Sequence, residues 1–470
     1  MLRPSKGVVH VDPALPITEL NAVIDDKISH IGDYVTKEGS FTRRSPLGAE
    51  YAIKTLLNMA GAVIDDELIK AFPDPEERVS ASALVQAKGK LKPKLFKDIY
   101  LDYNATDKDI QKLIAAQDYR LFAIDGTDFQ PPYQSKSKYA MPKPPGRPRN
   151  DGEPVKPCSM MHANLLFDLM GRTFEDCVLQ PKTATDERSA AIEMINRLDC
   201  GRHIVLMDMG YSSFNMLVTC TRKPGCFYAV RTNSRGGGVM REVDALPDRE
   251  CDREIELHLT TDQTYYNGHK ASDPKLHYVP AYKNHYKETL SSKTKDKRWN
   301  HEEYVEVKCR VVKFQINEPE SDKPTWEVLL TNLNRFEFPL AKMKELYHTR
   351  WGIETAFMQL KYALGGIQFH SRKDDFVEME LYAHLTMFNV AARTIRCVHV
   401  PQPKDNKHRY IVNFKRAVTI VRKYFRLHNT IPYEKMLSEI RRYRIADVPG
   451  RKDKRNLRTK SAIWFVYRIG

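Results

Sequence analysis

Short apolar runs separated by sharp turns fill residues 119–233, and their order constrains the fold more than any other feature of the chain. Gly171 and Arg172 separate the second and third runs as a hairpin turn would, and the fourth run is followed by a turn at Gly210 and a helix from Ser212. The segment "ATDERSAAIEMINRL", between the third and fourth runs, has helical spacing. The five runs are "YRLFAIDGTDF", "MMHANLLFDLM", "TFEDCVLQP", "HIVLMDMG" and "CFYAVRTN". Their order predicts an α/β fold with a mixed sheet and flanking helices.

Two acidic residues stand at the ends of predicted strands. Asp125 and Asp208 each end an apolar run beside a glycine turn. In α/β sheets the functional side chains gather at the carboxyl ends of strands, where loops leave them free. Asp128 is an alternative to Asp125, although the strand end favours Asp125. Taken singly, an Asp in such a place is more often a turn or cap residue.

A third acidic residue, Glu354, lies in a segment that predicts an amphipathic helix. This segment, "ELYHTRWGIETAFMQLKYAL" at 345–364, belongs to a helix expected to begin near Pro339. At about 100° per residue, the side chains of Tyr347, Arg350, Glu354 and Lys361 fall within roughly 60° of one another. They therefore form a polar stripe beside the apolar stripe that would face the core.

The charge balance favours a polyanionic partner. The 470 residues include 75 Lys and Arg against 60 Asp and Glu, a net charge of +15 with a pI near 9.2. Such a balance suits nucleic acid, although a basic protein that is merely well solvated is an equal alternative. Four lysines in one predicted helical stretch either lie on phosphates or face solvent. They are Lys88, Lys90, Lys92 and Lys94.

Two other classes of protein are not supported. The N-terminus has no long apolar run, and no window approaches the roughly 18 apolar residues of a membrane span. We therefore expect a cytoplasmic protein without membrane contact. The eight cysteines include no C-x-x-C pair, so neither a zinc ribbon nor a disulfide framework is indicated.

Composition and spacing divide the chain into five regions. Residues 1–115 predict a helical, DNA-binding domain, and 116–237 predict the first part of the α/β core. Residues 238–330 alternate with period two in places and predict a β-rich insertion. The core resumes at 331–398 with the Glu354 helix, and 399–470 form a basic C-terminal region. Residues 130–157, rich in Pro, Lys and Arg, predict a long basic loop that either tracks DNA or connects strands.

Three carboxylates at one point predict a site for hard metal ions. Without Cys or His partners, Asp125, Asp208 and Glu354 would repel one another unless cations neutralised them, and oxygen ligands suit Mg²⁺ or Mn²⁺. Two such ions, roughly 3.5–4 Å apart, activate an attacking hydroxyl and stabilise a leaving oxygen in phosphoryl transfer. The expected chemistry is cleavage or joining of phosphodiesters.

The same residues carry a resemblance to a known family. The strand order is that of an RNase H-like core, and Y-x-x-R-x-x-x-E-x-x-x-x-x-x-K, present as Tyr347, Arg350, Glu354 and Lys361, resembles the signature of the DDE-class transposases of insertion-sequence family four. The similarity extends to "AIDGTDF" and "LMDMGY" and covers roughly residues 75–395. It implies that Asp125, Asp208 and Glu354 are the metal-binding catalytic triad, and that the tyrosine, arginine and lysine contact phosphates of the transposon end.

Two further residues are candidates for DNA contact. In the family that this chain resembles, an aromatic residue near the triad stacks on a flipped base, a role open to Trp351. Core packing is the favoured interpretation of this tryptophan. Arg231, at the end of the fifth run, is either a phosphate contact or a solvent-facing residue.

The resemblance implies cut-and-paste transposition of an insertion sequence in a bacterial cytoplasm. Double-stranded DNA, both the terminal inverted repeats and the target, would be the partner, and pairing of two ends implies at least a dimer on DNA. A hairpin intermediate is implied as well. Two alternatives are an RNase H-like nuclease without strand transfer and a catalytically silent DNA-binding regulator. The first would not need the Tyr347, Arg350 and Lys361 clamp, and the second would not need all three acids.

Overall fold

The computed structural model describes most of the chain between residues 12 and 447. The described ranges are 12, 14–42, 47–72, 74–108, 119–142, 156–233, 241–279, 299–316, 325–363, 368–402, 408–425 and 431–447. Much of the Pro-rich segment 130–157, and all of the basic end 448–470, lie outside them. Within these ranges, no helix is long and apolar enough to cross a membrane.

A nine-stranded mixed sheet forms the centre of the molecule. The strand order is β5-β4-β1-β6-β7-β11-β10-β8-β9, with β1, β6 and β7 parallel and β4, β5 and β11 antiparallel to their neighbours. The first five strands are β1 (Arg120–Phe129), β4 (Met161–Asp168), β5 (Thr173–Pro181), β6 (His203–Met207) and β7 (Cys226–Thr232), with the short pair β2 (Ala140–Met141) and β3 (Cys158–Ser159) between β1 and β4. This confirms the predicted fold class, and the order β5-β4-β1-β6-β7 is that of an RNase H-like core.

The hairpin between β4 and β5 turns where the sequence places it. Asp168 at the end of β4 accepts hydrogen bonds from the N–H groups of Met170 and Gly171 through its Oδ1 (2.8 and 2.7 Å). Arg172 then takes a left-handed φ of 57°. This side-chain cap offsets the cost of a non-glycine residue in that conformation.

Residues 241–331 extend the same sheet beyond β7. Their strands are β8 (Cys251–Thr260), β9 (Leu276–Tyr278), β10 (Tyr304–Ile316) and β11 (Thr325–Thr331). β11 pairs antiparallel with β7, so the beginning of β11 lies at the edge of the sheet where β7 ends. Two short helices, α8 (Arg241–Asp244) and α9 (Gln263–His269), lie among these strands.

Helices cover both faces of the core strands. α6 (Glu187–Arg197) and α7 (Phe214–Arg222) pack on the face that carries Phe122, Ile124 and Val205. On the opposite face, α10 (Leu340–His348) and α11 (Trp351–Ala363) cover Leu121 and Ala123. The alternation along β1 therefore decides which face each of its side chains meets.

The remaining helices surround the long buried helix α12 (Asp374–Arg396). N-terminal to the sheet are α1 (Leu15–Ser29), α2 (Ala49–Asn58), α3 (Ile64–Ala71), α4 (Ala81–Lys88) and α5 (Pro93–Thr106), and C-terminal to it are α13 (Phe414–Tyr424) and α14 (Tyr433–Arg442), with the ribbon β12 (Arg409–Val412) and β13 (Arg444–Asp447). One apolar cluster unites α1 to α5 with α11 to α14 and one face of the sheet.

One of the four N-terminal lysines does not reach solvent. Lys88 is buried and forms an ion pair with Glu380 of α12, to which His370 also donates from its backbone N–H (2.8 Å). Neither a phosphate contact nor a solvated position describes this lysine, so both interpretations are wrong for it. A buried carboxylate needs such a partner to avoid a large desolvation cost.

Two sequence-based expectations about element ends are wrong. β1 does not stop at Asp125: its pairing with β6 ends at Ile124, but its pairing with β4 continues to Phe129 because β4 is the longer neighbour. The helix expected from Pro339 is interrupted at Thr349. The N–H groups of Arg350, Gly352 and Ile353 bond to carbonyls three residues earlier, which tightens the turn between α10 and α11.

Candidate active site

Asp125 and Asp208 lie level with each other on adjacent parallel strands. Ile124 pairs with Met207, so the residues that follow them are neighbours at the point where the parallel pairing of β1 and β6 ends. Asp125 lies two residues after Ala123 and four after Leu121, so all three side chains project from the same face of β1. That face is the one that α10 and α11 cover. Each carboxylate accepts a hydrogen bond from the next backbone N–H, Gly126 at 2.8 Å and Met209 at 2.7 Å.

Glu354 reaches this point from the first turn of α11. Arg350, at the junction of α10 and α11, donates from Nη2 to Glu354 Oε1 (3.0 Å), and its Nη1 lies 3.7 Å from Asp125 Oδ2. The arginine is buried, and its Nε and Nη1 have no hydrogen-bond partner in the described structure. One guanidinium therefore joins a carboxylate of the sheet to a carboxylate of the helix.

The electrostatics of the site favour a cation. The pKa of Asp125 is raised to about 6, chiefly by burial. The Gly126 N–H and Arg350 act to lower it, and the negative charges of Asp208 and Glu354 add smaller increases. The effect of both charges on Asp125 agrees with the close approach of the three acids. The single guanidinium of Arg350 leaves Asp125 short of positive charge.

Gly126 allows the close packing behind Asp125. A Cβ atom on this residue would lie 2.5 Å from His162 Nε2 and 3.2 Å from Glu187 Oε1. His162 is buried on β4, and its Nδ1 lies 2.6 Å from Asp128 Oδ1. A side chain at position 126 would displace either the imidazole or the strand end that holds Asp125.

Asp128 is not placed with the other acids. It lies an odd number of residues from Asp125 on the same strand, so its side chain points to the other face of the sheet, where it also pairs with Lys182 Nζ (2.8 Å). Of the two alternatives, the structure brings Asp125 together with Asp208 and Glu354.

Arg231 belongs to the site and has two acidic partners. Its Nη2 lies 2.9 Å from Asp208 Oδ1, and its Nη1 lies 3.7 Å from Oε1 of Glu327 on β11. Burial raises the pKa of Glu327, and the charge of Asp208 adds to this, against the opposing effects of Arg231 and Arg350. The sequence analysis missed Glu327, which is the third residue of a strand and carries no local signal of its role.

Tyr347 is buried beneath the triad rather than at its surface. Its hydroxyl donates to the carbonyl of Met207, the residue before Asp208 (3.1 Å). Burial raises the pKa of this phenol above its usual range. In this arrangement the tyrosine fixes the end of β6, and thereby the backbone that carries Asp208.

Trp351 and Lys361 on α11 differ in exposure. Trp351 is 52% exposed, so the expectation that it packs in the core is wrong. The guanidinium of Arg350 lies 5.4 Å from the centre of the Trp351 ring. Lys361 is half-buried, with its Nζ 5.3 Å from the centre of the Phe129 ring. Because the helix is interrupted before Trp351, the calculated stripe holds within α11 but does not extend to Tyr347.

The triad has the ligand chemistry for Mg²⁺ or Mn²⁺, since its donors are carboxylate oxygens that are partly buried and mutually repelling. Among the described residues, the set of three ligands whose atoms all lie within 4.8 Å of one another is a different one, Glu256, His258 and Glu306. In that set Glu256 is already paired with Lys275 Nζ (2.7 Å). The triad is held more loosely, with Arg350 between two of its members.

Comparisons with known proteins identify the family of this chain. No curated protein matches the chain. A solved structure, described as "Cryo-EM structure of piggyBac transposase synaptic complex with hairpin DNA (SNHP)", is similar at a TM-score of 0.42 and 12% identity, over 96% of this chain and 89% of that one. Residues 116–390, more than half of the chain, match the family described as "Transposase DDE domain", and they include Asp125, Asp208 and Glu354. The chain therefore belongs to the transposases with a DDE domain.

Proposed function

We propose that this protein is a metal-dependent transposase that moves an insertion sequence by cutting at its terminal inverted repeats and joining the freed ends to target DNA. The observation that carries this proposal is the convergence of Asp125, Asp208 and Glu354 at the point where the parallel pairing of β1 and β6 ends, with Arg350 between two of them. The family match and the net charge of +15 support it.

The triad would hold two divalent cations, Mg²⁺ or Mn²⁺. Cations bound by such a set of carboxylates supply activation of an attacking oxygen and stabilisation of a leaving oxygen at phosphorus. Hydrolysis of a strand and attack by a 3′-hydroxyl are both in-line displacements, so one site would serve both reactions. The protein's own part is to keep three carboxylates close together in spite of their repulsion.

The surrounding cations and the exposed aromatic ring would hold the DNA. Arg231 is partly exposed beside Asp208, and Lys361 is half-buried further along α11, beside Phe129. Guanidinium and ammonium groups both bind phosphate oxygen well. Trp351 offers an exposed ring for stacking on an unpaired base. Tyr347 and Arg350, which are buried, would act first by positioning Asp208, Asp125 and Glu354. The signature shared with insertion-sequence family four would then be partly a scaffold for the triad.

Pairing of two transposon ends calls for at least two copies of the chain on DNA. A hairpin intermediate would fit the exposed position of Trp351, because closing a hairpin strains the terminal bases and favours flipping one of them. The dimer and the hairpin would both form in the DNA-bound complex.

The test is cleavage of a labelled DNA fragment carrying the boundary of the element that encodes this chain, with Mg²⁺ or Mn²⁺. We expect the wild type to nick at the boundary and Glu354→Gln to bind DNA without cutting, since the amide keeps the size but not the charge of the carboxylate. Glu434→Gln, at an exposed position on α14, is the matched control and should cut normally. Cleavage without joining would favour an RNase H-like nuclease, and binding without cleavage in any divalent metal would favour a DNA-binding regulator.

A further inference from the structure

Arg231 is shared between two carboxylates that differ in exposure. Asp208 and Arg231 are both about one-third exposed at the surface of the site, whereas the Glu327 side chain is only 13% exposed beneath them. The close contact of Arg231, at 2.9 Å, is with Asp208, and the longer one, at 3.7 Å, is with Glu327. The Arg231 guanidinium therefore neutralises Asp208, a proposed metal ligand, while the more deeply buried carboxylate of Glu327 lies on its other side.

The register of the sheet places these three residues on one face. Met207 pairs with Val230, so Asp208 lies level with Arg231. Arg231 pairs with Leu329 of β11, and Glu327 lies two residues from Leu329 and so projects from the same side. β7 pairs with β11 only as far as Thr232, opposite Val328, which leaves Glu327 at the open end of the ladder beside the site.

This arrangement affects metal binding because Asp208 carries a single negative charge, which already pairs with Arg231. While Arg231 pairs with Asp208, a divalent cation must compete with the guanidinium for the same oxygen. If Arg231 moved away from Asp208 and no other anion were nearby, its guanidinium would lose its main electrostatic partner. Glu327 is the only other carboxylate that an ion pair links to Arg231 in the described part of the chain.

We propose that Glu327 is a positioning residue, which retains Arg231 at the edge of the site so that Asp208 is released to bind a divalent cation. The proposal rests on the proposed function in one respect, the use of Asp208 as a metal ligand. It extends the site to β11 and gives a role to a residue outside the triad and the helical signature. Glu327 itself needs no contact with the metal or with DNA.

The experiment measures Mn²⁺ binding to the full chain without DNA, by electron paramagnetic resonance of the free ion. The proteins are the wild type, Glu327→Gln, Arg231→Gln and the double variant. We expect Glu327→Gln to weaken Mn²⁺ binding about three- to tenfold, because Arg231 then has Asp208 as its only partner. Arg231→Gln should bind at least as tightly as the wild type, and adding Glu327→Gln to it should change the affinity less than about twofold.

Two controls separate this role from a general effect of charge or folding. Glu337→Gln removes another carboxylate that faces an arginine, with Arg202 Nη2 3.7 Å from it, and should leave Mn²⁺ affinity unchanged. Glu327→Asp keeps the charge and should recover part of the affinity. Glu327→Met also removes the charge, and it replaces the amide variant if that variant fails to fold. Asp208→Asn identifies the binding event that is being followed.

The outcomes are distinct. An unchanged affinity in Glu327→Gln, or an equal loss with and without Arg231, would overturn the inference, because Glu327 would then be idle or would act directly on the ion. Absence of any Asp208-dependent binding would overturn it as well. If the wild type binds Mn²⁺ through Asp208 with the expected pattern of variants but does not cut DNA, the inference stands and the proposed function fails.

Discussion

Arg350 donates to Glu354 across a single helical turn, with Nη2 3.0 Å from Oε1, and the same guanidinium approaches Asp125. The arginine therefore offsets the repulsion between two acids that the fold forces together. We predict that Arg350→Gln lowers the free energy of unfolding in EDTA by about 2 kcal/mol, because two partly buried carboxylates lose their counter-ion. Urea denaturation with and without Mn²⁺ measures the effect.

Added Mn²⁺ should stabilise Arg350→Gln more than it stabilises the wild type, since the cation takes over the neutralising role. Arg441→Gln, on the exposed side of α14, is the control and should behave as the wild type in both conditions. Equal stability of Arg350→Gln and wild type in EDTA would mean that the arginine does not offset the repulsion of the acids.

Asp125 should cost stability in the absence of metal. Its pKa is about 6 in the folded protein, above the ordinary value of 3.8, so its favourable contribution is complete below pH 3.8 and is lost as the pH rises through 6. At pH 8 in EDTA, Asp125→Asn should therefore be more stable than the wild type, with a free energy of unfolding about 1–2 kcal/mol higher. The difference should vanish near pH 4. Thermal denaturation at the two pH values tests this, and a less stable variant at pH 8 would contradict it.

The buried ion pair between Lys88 on α4 and Glu380 on α12 should contribute strongly to the stability of the fold. Lys88→Met leaves Glu380 buried with His370 as its remaining hydrogen-bond partner, and should cost about 3–5 kcal/mol. The double variant Lys88→Met with Glu380→Gln should recover more than half of this loss, because no isolated charge remains. Chemical denaturation gives both values, with Lys90→Met as the exposed control. A loss in the double variant as large as in the single one would argue against the ion pair.

His384 should make the protein sensitive to acid. Its pKa is lowered to about 3, chiefly by burial and next by the charge of Arg422, while smaller effects come from Glu380, which raises it, and from His370 and Lys88, which lower it. Because the folded pKa lies below the ordinary 6.5, the stability that neutral His384 contributes is complete above pH 6.5 and is lost as the pH falls toward 3. His384→Gln should reduce the slope of unfolding free energy against pH by up to about 1.4 kcal/mol per pH unit between pH 6 and 4.

The control for this pH series is His30→Gln, since His30 is exposed at the end of α1. It should leave the slope unchanged. A slope that is the same in His384→Gln and in the wild type would show that the buried imidazole takes up no proton on unfolding.

The strands of the core could be predicted from the sequence because each is a nearly continuous apolar run bounded by turn residues. The hairpin at Gly171 and Arg172, the helix α6 and the strand that precedes Asp208 lie where the sequence indicates. The sequence favoured Asp125 over Asp128 because of a strand end that lies elsewhere in the structure, since β1 continues to Phe129. The alternation of side chains along β1 is the physical reason why Asp125, and not Asp128, faces the site. The roles of these residues in metal and DNA binding stay predictions.

Long-range contacts account for what the sequence could not give. Nothing in the apolar spacing of 339–364 indicates the interruption at Thr349, because the core stripe continues on both sides of it. Lys88 finds its partner 292 residues away, so its burial has no local signal. Glu327 enters the site only because β11 pairs with β7, a pairing that the period-two pattern of 238–330 does not specify.

The central claim is that Asp125, Asp208 and Glu354 together hold divalent cations. Anomalous diffraction from crystals soaked in Mn²⁺ tests it most directly. The account predicts two peaks roughly 3.5–4 Å apart, within coordination distance of these three carboxylates, and loss of the peaks in Glu354→Gln. Peaks at Glu256, His258 and Glu306, with none at the triad in the wild-type crystals, would contradict it.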